Sequence, residues 1–180
     1  EASHCLRPAR VGILYGKTAG ALCEGGRGAP DSAGGHSLSR PAQRPAGALR
    51  AEGGPAMLNP HAAEILCVRG NCDCEVDQMV LDFPVLADYG FLLLEGRAAY
   101  LTHGHVINKA HPLSFQKGDI LLHGHTHIPA CEDCGDFTYL NPGSVSIPKN
   151  GSAHSYMIYE NGAFVWKELL TGEEYQRFSL

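Results

Sequence analysis

The stretch that most limits what this chain can fold into is residues 121–129, LLHGHTHIP. The apolar run 120–122 has the length and side chains of a buried strand, and it ends in His123-Gly124-His125-Thr126-His127. Three imidazoles in five residues, at a strand end and with a glycine to let the backbone turn, form a metal-site pattern. An exposed polar loop or tag-like tract is the plainer alternative. Two other segments repeat the arrangement. Residues 100–105 read YLTHGH, and residues 65–73 read ILCVRGNCD, each an apolar run ending in polar side chains. Strands that deliver polar groups at their C-terminal ends are how α/β sheets build sites.

Composition narrows the classes. A chain of 180 residues suits one domain with a proper core. The net charge of −5 and the lack of any Lys/Arg block argue against nucleic-acid binding. No apolar run reaches membrane-spanning length and the first residues lack a signal-peptide hydrophobic region, so a soluble cytoplasmic protein is expected. Seven cysteines, an odd number at irregular spacing, do not make a secreted disulfide framework. Cys131-Glu132-Asp133-Cys134 reads as a polar hairpin tip with reduced thiols; a zinc shared with Cys72 and Cys74 is the alternative.

Along the chain, residues 57–63 read as the end of a helix, against which Pro60 dissents. A strand is expected over 64–68. Residues 75–82 place Val76, Met79 and Val80 at i, i+3 and i+4, an amphipathic helix closed by Pro84. Residues 91–94 and 98–101 form a hairpin about Glu95-Gly96-Arg97. A polar loop or short helix over 108–117 precedes the 120–122 strand, and hairpin strands follow around Ala130 and 137–140. Residues 156–159 and 163–166 flank Glu160-Asn161-Gly162, an Asn-Gly hairpin turn. Early βαβ units followed by late hairpins predict a two-sheet α/β sandwich.

GNCD, THGH and GHTHIP, in that order and spacing, resemble the later motifs of the calcineurin-like metallophosphoesterases. NPGSVSIPK at 141–149 is similar to the small bacterial YfcE-like phosphodiesterase branch of that family. The resemblance covers roughly residues 57–180. It implies two facing sheets with helices outside (αββα) and the site along one edge. It also implies a phosphodiesterase acting on a small phosphodiester, whose binuclear centre polarises the phosphoryl group and holds a hydroxide in line. Asn71, His103 and His125 match the family ligands of the second metal, and His127 matches a ligand of the first. Two divalent ions are implied, manganese first, with zinc, iron, nickel and magnesium as alternatives. Cys72 stands where many relatives carry the histidine that protonates the leaving group, and a thiol is the weaker acid–base match. Asp73 is expected to hold the loop or a ligand, and His105 to orient a ligand or contact phosphate. Asn141-Pro142-Gly143-Ser144 is expected to present backbone amides near the site. A homo-oligomer is compatible with all of this.

Residues 1–56 do not fit. They hold half of the 22 glycines and, outside 12–15, offer no strand-like run. The resemblance requires a strand–helix–strand here bearing Asp-x-His and Gly-Asp, and neither motif occurs in this stretch; Asp31 and His36 are isolated. Read one base out of frame with free choice of synonymous codons, however, the stretch admits SDLHG across residues 6–11 and GDILYHGPRN across 34–44. We therefore divide the chain into 1–56, a frame-shifted reading of the first βαβ unit, and 57–180, the metallophosphoesterase domain. Taken literally, the leader is expected to be poorly ordered and to leave the sheet without central strands and with exposed apolar edges. Two other classes remain open: a non-catalytic binding module on the same fold, and a mononuclear metal protein using the histidines.

Overall fold

The structure is a computed structural model that describes residues 11–15, 20–24 and 53–180, with side chains from residue 55 onward. Eleven strands form two sheets that enclose one core. The first sheet contains β1 (Val11–Tyr15), β2 (Gly20–Glu24), β3 (Ile65–Val68), β9 (Ser155–Glu160), β10 (Ala163–Glu168) and β11 (Glu174–Ser179). Its order is β11-β10-β9-β1-β2-β3, and every neighbouring pair is antiparallel. The second contains β4 (Tyr89–Leu94), β5 (Arg97–Thr102), β6 (Asp119–His123), β7 (Ala130–Asp133) and β8 (Phe137–Asn141), in the order β4-β5-β6-β8-β7.

In the second sheet β5, β6 and β8 run parallel. Their C-terminal ends therefore open on one edge, and they lead into His103-Gly104-His105, Gly124-His125-Thr126-His127 and Pro142-Gly143-Ser144. Alternation along the strands sends Ile120 and Leu122 into the space between the sheets. There they pack with Val68, Leu101, Leu140, Met157, Phe164 and Trp166. Leu121 points outward and packs with Phe137 and Tyr139 beneath Tyr100 and Phe115.

Both hairpins read from the sequence are present: Glu95 and Gly96 (φ 49° and 82°) and Asn161 and Gly162 (φ 51° and 74°) take the paired left-handed conformations of a tight two-residue turn. The 131–134 segment forms the end of β7 and the turn into β8, and its thiols are free. β11 carried no sequence signal that we used.

Three expectations need correction. The sheet does not lack central strands: β1 and β2 lie between β9 and β3. Only four residues join them, too few for a βαβ crossover, so they pair as an antiparallel hairpin. The stretches that admit SDLHG and GDILYHGPRN lie almost wholly outside the described residues. The helix read over 57–63 is α1 (Gly53–Leu58) running into a 3-10 helix, Asn59–Glu64, with Pro60 in its first turn. Finally, α2 (Glu75–Val80) does not bury its apolar stripe: Val76, Met79 and Val80 are exposed, and Asp77 is the buried residue. Phe83 and Val85 occupy the outer face of β3 against Ile65 and Cys67, leaving that ground closed to α2. The helix is fixed instead by its start, where Cys74 N donates to Asp77 Oδ2 (2.8 Å).

Candidate metal centre

Three strand ends bring three donor atoms together. His103 follows β5 and is 7% exposed, and its Nε2 lies 2.9 Å from Asn71 Oδ1 and 3.0 Å from His125 Nδ1. Asn71 comes from the loop after β3, so the two sheets meet at this point. Two ligands of one ion with bonds of about 2.1 Å at a right angle stand about 3.0 Å apart. The observed separations thus fit a shared cation. Among the described residues no group of three or more His, Cys, Asp or Glu side chains could hold a metal; here the third donor is an amide oxygen.

The electrostatics suit ligation. Burial first, then the neighbouring His125 and His105, push His103 down to about 4, and burial likewise lowers His125. Neutral imidazoles keep lone pairs available to a cation.

The loops are held in unusual shapes. His125 and His127 have φ of 57° and 63°, left-handed values that side-chain-bearing residues rarely adopt. Asn141, fully buried at the end of β8, supplies the restraint. Its Nδ2 donates to Gly124 O (3.0 Å) and lies 2.9 Å from Thr126 Oγ1, while its Oδ1 accepts from Gly143 N (2.9 Å). Trp166 Nε1 in turn donates to Asn141 O (2.7 Å). Sequence reasoning placed this loop near the site but missed Asn141 as its hub; a lone Asn before Pro-Gly was the available signal.

The remaining expected residues divide. His105 is exposed and packs edge-on against His103, with ring centroids 5.1 Å apart. His127 makes no ring contact with the cluster; its Nδ1 is 2.8 Å from Ile147 O, which directs Nε2 elsewhere. Cys72 is exposed, and Asn71 Nδ2 points to its sulfur at 3.4 Å, leaving Oδ1 for His103. Asp73 is buried and closes the loop by accepting from Gly70 N (2.6 Å); burial raises its carboxyl above the ordinary range. His123 lies outside the cluster, stacked on Tyr139 at 4.2 Å, and among the described residues its Nε2 has no hydrogen-bond partner. Its ring sits under Gly104 (φ 105°), where a side-chain carbon would stand 2.5 Å from Nδ1, so only glycine fits between the two histidines of that loop.

Comparison with known proteins gives the family and the fold. The calcineurin-like phosphoesterase superfamily domain matches residues 51–162. Phosphodiesterase YfcE of Escherichia coli is 46% identical over 104 residues, 58% of this chain and 56% of that protein. The probable metallophosphoesterase YsnB of Bacillus subtilis is 29% identical over 108 residues, 56% of this chain and 57% of YsnB. The chain thus spans about half the length of the curated relatives it matches. A solved structure of the Escherichia coli phosphoesterase Yfce superposes with a TM-score of 0.67 at 39% identity, covering 69% of each chain.

Proposed function

The chain belongs to the calcineurin-like phosphoesterase superfamily, and from that premise we propose that it is a metal-dependent phosphodiesterase built for a pair of divalent ions. The observation that carries the reading is the approach of Asn71 Oδ1, His103 Nε2 and His125 Nδ1 to within 2.9 and 3.0 Å of one another in sequence. These three would hold one ion, and His127 would contribute to the other. Two such ions, about 3.5–4 Å apart, polarise a phosphoryl group and activate water. Manganese is the first expectation from the family resemblance; two imidazoles and an amide oxygen also suit zinc, iron and nickel, with magnesium behind them.

The chain's own groups then divide the work. Asn71 is turned by its contact with Cys72 so that oxygen, not nitrogen, faces His103. Asp73 keeps the loop closed through Gly70 N. Cys72 and His105 are exposed at the rim, where Cys72 is the group available to protonate a leaving oxygen. A thiol does this poorly at neutral pH, which favours small diesters with good leaving groups.

As written, residues 1–56 lack the Asp-x-His that would complete the site of the ion to which His127 contributes. We read this stretch as translated out of frame; the start of the family match at residue 51 supports that division. The test is manganese-dependent hydrolysis of an aryl phosphodiester by two proteins, the 180-residue chain and its frame-restored form. The frame-restored form should turn over and the literal chain should not. Metal-dependent turnover by the literal chain would overturn the half-site reading, and inactivity of both would overturn the enzyme.

A further inference from the structure

Lys149 is a fixed backbone position with an uncommitted charge. Its amide N donates to His127 O (3.1 Å), and His127 Nδ1 lies 2.8 Å from Ile147 O, so residues 147–149 and His127 are tied twice. On its other side Asn150 and Gly151 turn through left-handed backbone, and Ser152 N and Oγ both donate to Lys149 O (3.1 and 2.8 Å). The root of the side chain is therefore set on both sides while the residue itself is exposed. Two other cations are engaged: Lys109 pairs with Glu132 at 2.7 Å and Arg177 with Glu174 at 2.6 Å. Among the described residues Lys149 has no ion pair. Its backbone bond to His127 sets it beside the loop that carries His125 and His127. An ammonium with no carboxylate partner at that edge raises the local potential where an anion would sit.

We propose that Lys149 is a specificity-determining residue whose ammonium binds a non-bridging phosphoryl oxygen of the ester or its product. This rests on the phosphoester reading above and names the anionic phosphoryl group as what the rim selects. The contact is a charge-assisted hydrogen bond at an exposed site, so it is sensitive to salt.

The test is calorimetric titration of inorganic phosphate into the manganese-treated chain. Parent, Lys149→Gln, Lys149→Arg and Lys117→Gln are compared after the metal content of each is measured. Lys117 precedes β6, at the end of that strand away from the histidines, and its replacement removes the same charge. Lys149→Gln should weaken phosphate roughly three- to tenfold at low salt, a gap that narrows at high salt. Lys149→Arg and Lys117→Gln should stay near the parent, with metal content unchanged throughout. Equal affinity in Lys149→Gln and parent, an equal loss in Lys117→Gln, loss of metal from Lys149→Gln, or no phosphate binding by the parent would each overturn the proposal. Diester turnover is measured separately, on the frame-restored form. Its absence there beside an intact Lys149 effect removes the hydrolytic reading alone, and turnover without a Lys149 effect removes the anion contact alone.

Discussion

The two sheets share one core yet differ in what they deliver at its edge. The antiparallel sheet returns its chain through tight turns and contributes Trp166, Phe164 and Met157 to the interior, with Asn71 after β3 as its part in the donor cluster. The sheet containing parallel β5, β6 and β8 sends three loops to one side, and two of them carry the histidines. Parallel strands cannot be joined by a two-residue turn, so their ends are free to hold longer, chemically loaded loops. The difference teaches that one sheet is chiefly a support and the other chiefly a mount. Trp166, which reaches from the first sheet to the Asn141 carbonyl in the second, links the two.

The largest effect should come from cutting that link. Trp166→Ala removes a fully buried ring and should cost about 3–5 kcal/mol in urea unfolding; a loss below about 1 kcal/mol would mean that the support is not where the core places it.

Acid should act next, and on the mount. Burial pushes His103 and His123 down to about 4 in the folded chain, against about 6.5 when unfolded. Between those values the unfolded state binds the extra protons, so stability is full above pH 6.5 and falls as pH drops toward 4. Solvent screening of these partly wetted rings holds the combined loss to on the order of 3 kcal/mol. Urea midpoints of metal-free protein across this range should follow that slope, and His123→Phe, which can keep the stack on Tyr139, should flatten its share. A profile unchanged by that substitution would remove His123 from the account.

Asn141→Ala should cost about 1–3 kcal/mol, because it orphans buried groups of two loops. Amide exchange should quicken at 124–127 and 143 more than in β9 or β10; uniform quickening would make Asn141 a general core residue. The smallest effect belongs to the exposed Lys109–Glu132 pair, whose loss in Glu132→Gln should stay below about 1 kcal/mol in the same unfolding assay.

Much of this was legible in the sequence because short apolar runs and glycine-bearing turns are local signals. The strands at 65–68 and 120–122 and both tight hairpins follow from them. Each of Asn71, His103 and His125 ends an apolar run, and the family resemblance named them together; that β3 meets β5 and β6 across two sheets was not a local signal. α2 misled because three apolar residues at helical spacing do not say which neighbour already covers the strand; Phe83 and Val85 had taken that place. The β1–β2 hairpin was missed because Gly20–Glu24 is short and nearly featureless, and its pairing is decided by the gap between β9 and β3. Asn141 and Lys149 act through backbone partners far along the chain, which no local pattern announces.

The central claim is that Asn71, His103 and His125 face a common cation. It is tested most directly by counting manganese ions bound per chain after equilibrium dialysis, for the parent and for His103→Ala. The account predicts one ion on the parent and none on the variant. No uptake by the parent, or uptake that survives the loss of His103, would contradict it.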